Sequence, residues 1–211
     1  EVVLANPAAD ASHPAFSNLF VQTEIVETHN AIICTRRPRS SEEKQPWMFH
    51  LMKVNNKKSK SVSYETDRSR FVGRGNSIHH PKVMQETGTL SNSQGSVLDP
   101  IVSMRYMLTL DAEDTITLDM MMGVTETKDD CKALIDKYQD RHLRDRAFEL
   151  SWTHSQVTFR QINASEADAQ LFGKMVGSVI YANPHFRADP EVLSKNQRGQ
   201  SALRSYSISG D

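Results

Sequence analysis

Two stretches of this chain alternate apolar and polar residues with a period of two, and they limit its fold more than any other feature. Val102, Met104, Tyr106, Leu108 and Leu110 alternate with mostly polar neighbours, and after Asp111-Ala112-Glu113-Asp114 the pattern resumes through Ile116, Leu118, Met120 and Met122. Successive side chains of a strand point to opposite faces, so each stretch reads as a strand buried on one side. Joined by a short polar turn, the two are predicted to pair as an antiparallel hairpin. A second hairpin is predicted from Leu19 to Val26 and Ala31 to Arg37, around Glu27-Thr28-His29-Asn30. Further strands are predicted near Trp47 to Val54 and Val62 to Tyr64, and Glu1-Val2-Val3-Leu4 reads as strand too. Asn55 to Lys60 reads as a solvated basic loop. Several strands with no helical pattern between them favour a sandwich over βαβ units.

The period changes at Glu126. Thr127 is a predicted helix cap, with Asp130 near the positive end of the helix dipole and Cys131, Leu134, Ile135 and Tyr138 following at helical spacing. A second helix is predicted from about Arg144 to Arg160. A third starts after Ser165, carries Leu171, Phe172, Met175, Val176 and Val179, and stops at Asn183-Pro184. From Arg187 the chain reads as polar loop. The expected division is a β-sandwich domain over 1–125, a helical linker over 126–186 and a lead-in segment to something further over 187–211. Both termini read as cut from a longer chain.

Composition removes several function classes. The chain has 25 basic and 26 acidic residues and a net charge of -1, so no global field draws it to nucleic acid or an anionic membrane. No apolar run reaches the ~20 residues a membrane helix needs, and no signal peptide is recognisable. Cys34 and Cys131 read as small apolar side chains in a reducing compartment rather than a disulfide or a zinc site.

The histidines, His13, His29, His50, His79, His80, His142, His154 and His185, show no metal-ligand spacing, and no metal is expected. No Gly-x-Ser-x-Gly elbow is present. Gly73-Arg74-Gly75-Asn76 reads as a tight turn, and the Asn163-Ala164-Ser165 sequon is discounted because Ser165 serves as a helix cap. Arg68, Arg70 and Arg74 lie close together, as guanidinium forks suited either to a ligand's hydroxyls, carboxylates or phosphate or to structural ion pairs. Glycoside chemistry needs a placed carboxylic acid, and Glu65, Asp67, Asp99 and Glu126 are candidates that spacing does not separate.

Tyr64-Glu65-Thr66-Asp67-Arg68-Ser69-Arg70-Phe71-Val72-Gly73-Arg74-Gly75-Asn76 resembles the Glu-Thr-Asp-Arg … Phe-x-Gly-Arg-Gly signature of glycoside hydrolase family 94. Leu90 to Ile101 resembles a later block of that family, and the resemblance extends to Ala8 to Phe16. Lys137 to His142 and Glu149 to Gln156 resemble the linker helices of its cyclic β-1,2-glucan synthase branch. Gln197 to Ser201 and Ser207 to Asp211 resemble the approach to its catalytic barrel. The resemblance implies a mainly β chain with α: an antiparallel β-sandwich of the galactose mutarotase-like supersandwich type, incomplete here, followed by linker helices and leading to an absent (α/α)6 barrel.

It also implies inverting phosphorolysis in which a barrel aspartate is the general acid and inorganic phosphate the co-substrate. That acid lies outside this chain, so no catalytic residue is expected in it and the chain alone is expected to be inactive. No cofactor is expected, UDP-glucose being used by another domain. The implied partners are a β-1,2-glucan or oligosaccharide and the rest of the parent chain, with homo-oligomerisation left open. The implied location is the cytoplasmic side of a bacterial inner membrane.

Four substrate-binding residues are expected. Asp211 matches an aspartate at the barrel entrance, and Arg198 is its expected partner, with Arg204 competing; Arg68 and Arg74 sit in the signature. The leading expectation is a non-catalytic sandwich and linker of a glucan-processing enzyme. The alternatives are a free-standing carbohydrate-binding module and a structural or oligomerisation domain. Aromatic residues are only 7% of the chain, and Trp47 is the one tryptophan in its β part, which counts against an aromatic sugar platform.

Overall fold

The structure is a computed structural model that describes residues 2–5, 7–55, 61–181, 185 and 187–208. Two units pack separately, residues 1–146 and residues 147–211. The basic loop expected at 56–60 and the Asn183-Pro184 helix stop lie outside the described residues.

In the first unit, helices α1 (Pro7–Ser12) and α2 (Pro14–Asn18) lead into strands β1 (Val21–Val26), β2 (Ala31–Arg36), β3 (Trp47–Asn55) and β4 (Ser61–Asp67). Helices α3 (Arg68–Val72) and α4 (Lys82–Gln85) come next, then β5 (Gly95–Ser96), β6 (Pro100–Met107), β7 (Thr117–Thr125) and helix α5 (Lys128–Gln139). Helix α6 (Arg141–Gln161) starts in this unit and continues into the second.

The strands form two antiparallel sheets, one in the order β5-β1-β2-β3-β7 and one of β4 and β6. The period-two pattern sets both faces of the larger sheet. Ile33 pairs with Phe49 and Phe49 with Gly123, so these share one face. There Ala31, Ile33, Phe49 and Leu51 enclose Cys131 and Ile135 of α5. Gly123 is required by this packing: a Cβ there would come within 2.5 Å of the Phe49 ring. On the opposite face Val21, Ile32 and Cys34 meet Tyr64 of the smaller sheet, with Val62, Val102 and Met104 packed against them. Two sheets closing over a shared apolar layer make the sandwich expected from the sequence. Val2 is fully buried in that layer and its N–H donates to Pro100 O at 2.8 Å.

Five expectations are corrected. The strands near Val102 and Ile116 do not form a hairpin: β6 pairs with β4 and β7 with β3, in different sheets. Their alternation is real, but it does not say which strand lies beside which. In β7 it does not give the buried side either: Leu118, Met120 and Met122, expected on the buried face, are 52%, 63% and 61% exposed, while Met121 and Gly123 face the layer under α5, because the register of β7 on β3 places Gly123 against Phe49. The inter-sheet bond from Tyr106 Oη to Met52 O, at 2.5 Å, belongs to that arrangement. Helices do intervene among the strands; α1 to α4 are four to six residues long, too short to show a 3.6-residue period. Val2 to Leu4 are not in a strand. The segment after Arg187 is not all loop, since helix α8 (Pro190–Lys195) and helix α9 (Ser201–Arg204) form there, the first capped by Asp189. The hairpin of β1 and β2 is as predicted, with Val26 opposite Ala31 and a left-handed Asn30 (φ 48°) completing the turn.

The change from strand to helix and the division between packed units fall at different places, because α5 is a helix that packs on the sheet. The α5–α6 corner is held by Arg144, which is buried. Its guanidinium donates to Tyr138 O at 2.8 Å and Asn55 Oδ1 at 3.0 Å and pairs with Asp119 at 2.9 Å. In the second unit, helix α7 (Glu166–Ile180) opens with a capping box between Ser165 and Asp168, as the sequence predicts.

Candidate functional site

The signature segment forms the junction between β4 and α3. Glu65 is buried on the outer face of the smaller sheet. Its carboxylate accepts from Ser91 Oγ at 2.7 Å, from Ser93 Oγ, and from the N–H groups of Thr66 and Asp67 at 3.1 Å each. Asn92 adds a strand-like clasp: Tyr64 N–H donates to Asn92 Oδ1 and Asn92 N–H to Tyr64 O, both at 2.8 Å. The loop 90–93 is thereby fastened along β4. Both oxygens of Glu65 are engaged by the protein, so this carboxylate holds structure and is not placed to donate a proton to a ligand.

Asp67 ends the strand and starts the helix, accepting the Ser69 N–H at 2.8 Å as an N-cap. Arg68, the next residue, pairs through Nη1 with Asp99 Oδ2 at 3.0 Å, and its own N–H donates to Asp99 O. An open cavity of about 330 Å³ lies beside this pair, lined by Arg68, Ser69, Val72, Asn76, Ser77, Ile78 and Asp99. Asp99 Oδ1 is buried and has no hydrogen-bond partner among the described residues. That oxygen is enclosed, so the polar groups the cavity presents are the Arg68 guanidinium with Ser69, Asn76 and Ser77, a mix of donors and acceptors that suits a polyol.

The turn at Gly73 closes the segment. Gly73 has φ 78°, and a Cβ there would approach Lys82 Cβ to 2.6 Å, so both conformation and space call for glycine.

The four expected binding residues separate. Arg68 lines the cavity. Arg74 is exposed at the glycine turn, outside the cavity lining. Arg198 is exposed in the second unit, where its N–H donates to Asn196 Oδ1 at 3.1 Å. Asp211 lies outside the described residues. Of the candidate carboxylates, Glu126 is paired with Lys44 at 2.9 Å on the surface.

Sequence reasoning passed over Arg105. Its guanidinium donates to the backbone carbonyls of Gly88 at 2.5 Å, Glu86 at 3.1 Å and Val83, tying the 83–88 segment beside the cavity loops. It occupies an ordinary polar position of the alternating strand, between Met104 and Tyr106, so the pattern carries no signal that marks it. Both cysteines are buried and free, and burial pushes the Cys34 thiol up to about 12, so it is inert at neutral pH. Among the described residues no group of three or more His, Cys, Asp or Glu is placed to hold a metal ion. No described helix is long and apolar enough to cross a membrane.

Comparison with known proteins agrees with this architecture. The chain is 32% identical over all 211 residues to the cyclic beta-(1,2)-glucan synthase NdvB of Rhizobium meliloti (strain 1021). It spans only 8% of that protein's length. Residues 1–141, which contain both sheets and α5, match the family described as glycosyl hydrolase 94, supersandwich domain. With that match covering most of its length, the chain belongs to the glycosyl hydrolase 94 family.

Proposed function

We propose that this chain is the sandwich and linker portion of a glucan-processing enzyme, and that it binds a segment of β-1,2-linked glucan without cleaving it. The observation that carries the reading is the cavity beside β4, where Ser69, Asn76 and Ser77 line the wall around the Arg68–Asp99 pair. The name of the relative supplies the choice of glucan. In this reading the general acid and inorganic phosphate act in a barrel elsewhere in the polypeptide. The residues after 187, with Arg198 and Asp211, lead towards that barrel. Arg74, exposed at the turn next to the cavity loops, is a second contact for the sugar. The work is done on the cytoplasmic side of a membrane.

Calorimetric titration of the chain with β-1,2-gluco-oligosaccharides tests the cavity. Binding is expected, and Arg68→Gln is expected to weaken it by about tenfold, since a hydrogen bond to a charged group is worth about 1.5–3 kcal/mol. Absence of binding, or binding that Arg68→Gln leaves unchanged, overturns the sugar-binding role and leaves a scaffold. Phosphorolysis by the chain alone overturns the placement of the acid outside it.

A further inference from the structure

We propose that Arg37 and Arg39, seated over Phe16 and Phe20, form a surface site for a phosphoryl group, separate from the Arg68–Asp99 cavity. The site is built by the β1–β2 ladder. Arg36 sits opposite Val21, and one more rung, from Arg37 N–H to Phe20 O at 2.9 Å, fixes Phe20 beside the Arg-Arg-Pro-Arg run. Phe16 of α2 meets Phe20 edge-on, with ring centroids 5.4 Å apart. The guanidinium carbons of Arg36, Arg37 and Arg39 then lie 5.8, 5.5 and 5.8 Å from the Phe20 centroid, and Arg39 also lies 5.7 Å from Phe16.

Three cations crowd one ring, and among the described residues one carboxylate answers them. Glu43 accepts from Arg36 Nη1 at 2.7 Å with Oε1 and from the Arg39 backbone N–H at 2.6 Å with Oε2. Both its oxygens are engaged. Ring faces relieve part of the repulsion between like charges, but the excess stays positive. The chain as a whole carries net -1, so this excess is local. Arg36 is only 3% exposed, and its Nε–H has no partner among the described residues. The exposed forks of Arg37 and Arg39 make no hydrogen bond or ion pair with any described residue. Two free planar forks match the oxygens of a dianionic phosphoryl group, and Phe16, 54% exposed, offers an apolar shelf to whatever carbon skeleton bears it.

Inorganic phosphate and a simple monoester, phenyl phosphate, share the required chemistry and distinguish its source. The test titrates the 211-residue chain with each, and with neutral benzyl alcohol, following the Nε–H resonances of arginine side chains by NMR and the affinity by calorimetry. Both phosphates are expected to shift Arg37 and Arg39, with affinity falling as salt is raised. Tighter binding of phenyl phosphate assigns the shelf to an ester; equal or tighter binding of inorganic phosphate assigns the site to the free anion. Either result supports the site. Arg37→Gln and Arg39→Gln are each expected to weaken binding about tenfold, whereas Lys44→Gln, whose amine pairs with Glu126, leaves it unchanged. The proposal is overturned if neither phosphate moves those two resonances, if benzyl alcohol moves them equally, or if the paired glutamine variant binds as the parent chain does. The wild-type resonances decide the matter even if a variant fails to fold.

Discussion

Helices α5 and α7 begin alike and end in different surroundings. Each opens on a hydroxyl cap, Thr127 for α5 and Ser165 for α7, with an aspartate three residues on. On α5 the apolar stripe disappears into the sandwich, where Cys131 and Ile135 are 0% and 1% exposed. On α7 the stripe is longer and more apolar, yet Phe172 and Met175 remain 50% and 54% exposed. A cap and a stripe therefore write a helix, while burial of the stripe depends on a facing surface. The sheet supplies that surface for α5. The second unit buries no residue of α7, so its helices rest on local signals.

The difference predicts unequal costs for similar truncations. Phe49→Ala removes a ring that fills the space over Gly123 and contacts the α5 layer. It should destabilise the first unit by about 3–5 kcal/mol, whereas Phe172→Ala should change stability by less than about 0.5 kcal/mol. Chemical denaturation of both variants checks this. A comparable loss from Phe172→Ala would break the contrast, since it would show that α7 has a packed core after all.

Arg144→Ala probes the place where α5 turns into α6. It removes the donors that hold Tyr138 O and Asn55 Oδ1 and leaves Asp119 without its cation, at an expected cost of about 3 kcal/mol. Adding Asp119→Asn should recover part of the loss, because the unpaired charge is then gone. If Arg144→Ala is neutral in denaturant melts, the corner is held by the α5 apolar stripe alone.

These residues also show how far the sequence could be read. Alternation marked β6 and β7 as strands without giving the buried side of β7, and Glu27 to Asn30 marked the first hairpin, because a short turn between adjacent strands leaves little choice of partner. Asp111 to Asp114 looked equivalent and was not: β6 and β7 part into different sheets. Pairing there is decided by contacts distant in sequence, such as Tyr106 on Met52. The site was legible in part. The signature segment pointed to Arg68, but its partner Asp99 lies 31 residues on, and the consumption of Glu65 by Ser91 and Ser93 depends on a loop that no periodicity reveals. Arg36, Arg37 and Arg39 stood in plain sight as a charge run. What joined them into a cluster was the rung that brings Phe20 alongside.

The smallest expected effect isolates the local side of the comparison. Ser165 Oγ accepts the Asp168 N–H at 3.2 Å, while the Asp168 carboxylate accepts from Ser165 N–H at 2.8 Å and Ser165 Oγ at 2.7 Å. Those two bonds, the hydroxyl first, hold the Asp168 carboxyl below its ordinary value of 3.8. A carboxyl depressed by folding stabilises the helix at pH values above its unfolded pKa, and that contribution is lost as pH falls through the lower folded value. Far-UV circular dichroism of the chain should therefore show a loss of helix confined to acid below about 3.8, coincident with titration of Asp168 followed by NMR. Ser165→Ala should cost α7 about 1 kcal/mol at neutral pH and move the Asp168 titration upward, part of the way to its ordinary value, since the backbone N–H bond to its carboxylate remains. The matching change at the start of α5, Thr127→Ala, removes the hydroxyl that accepts Asp130 N–H but leaves Cys131 and Ile135 in place. Fraying should then appear in α7 and not in α5. Equal fraying in both would mean that burial does nothing to hold the first turn of α5, and the contrast between the two helices would be one of exposure only.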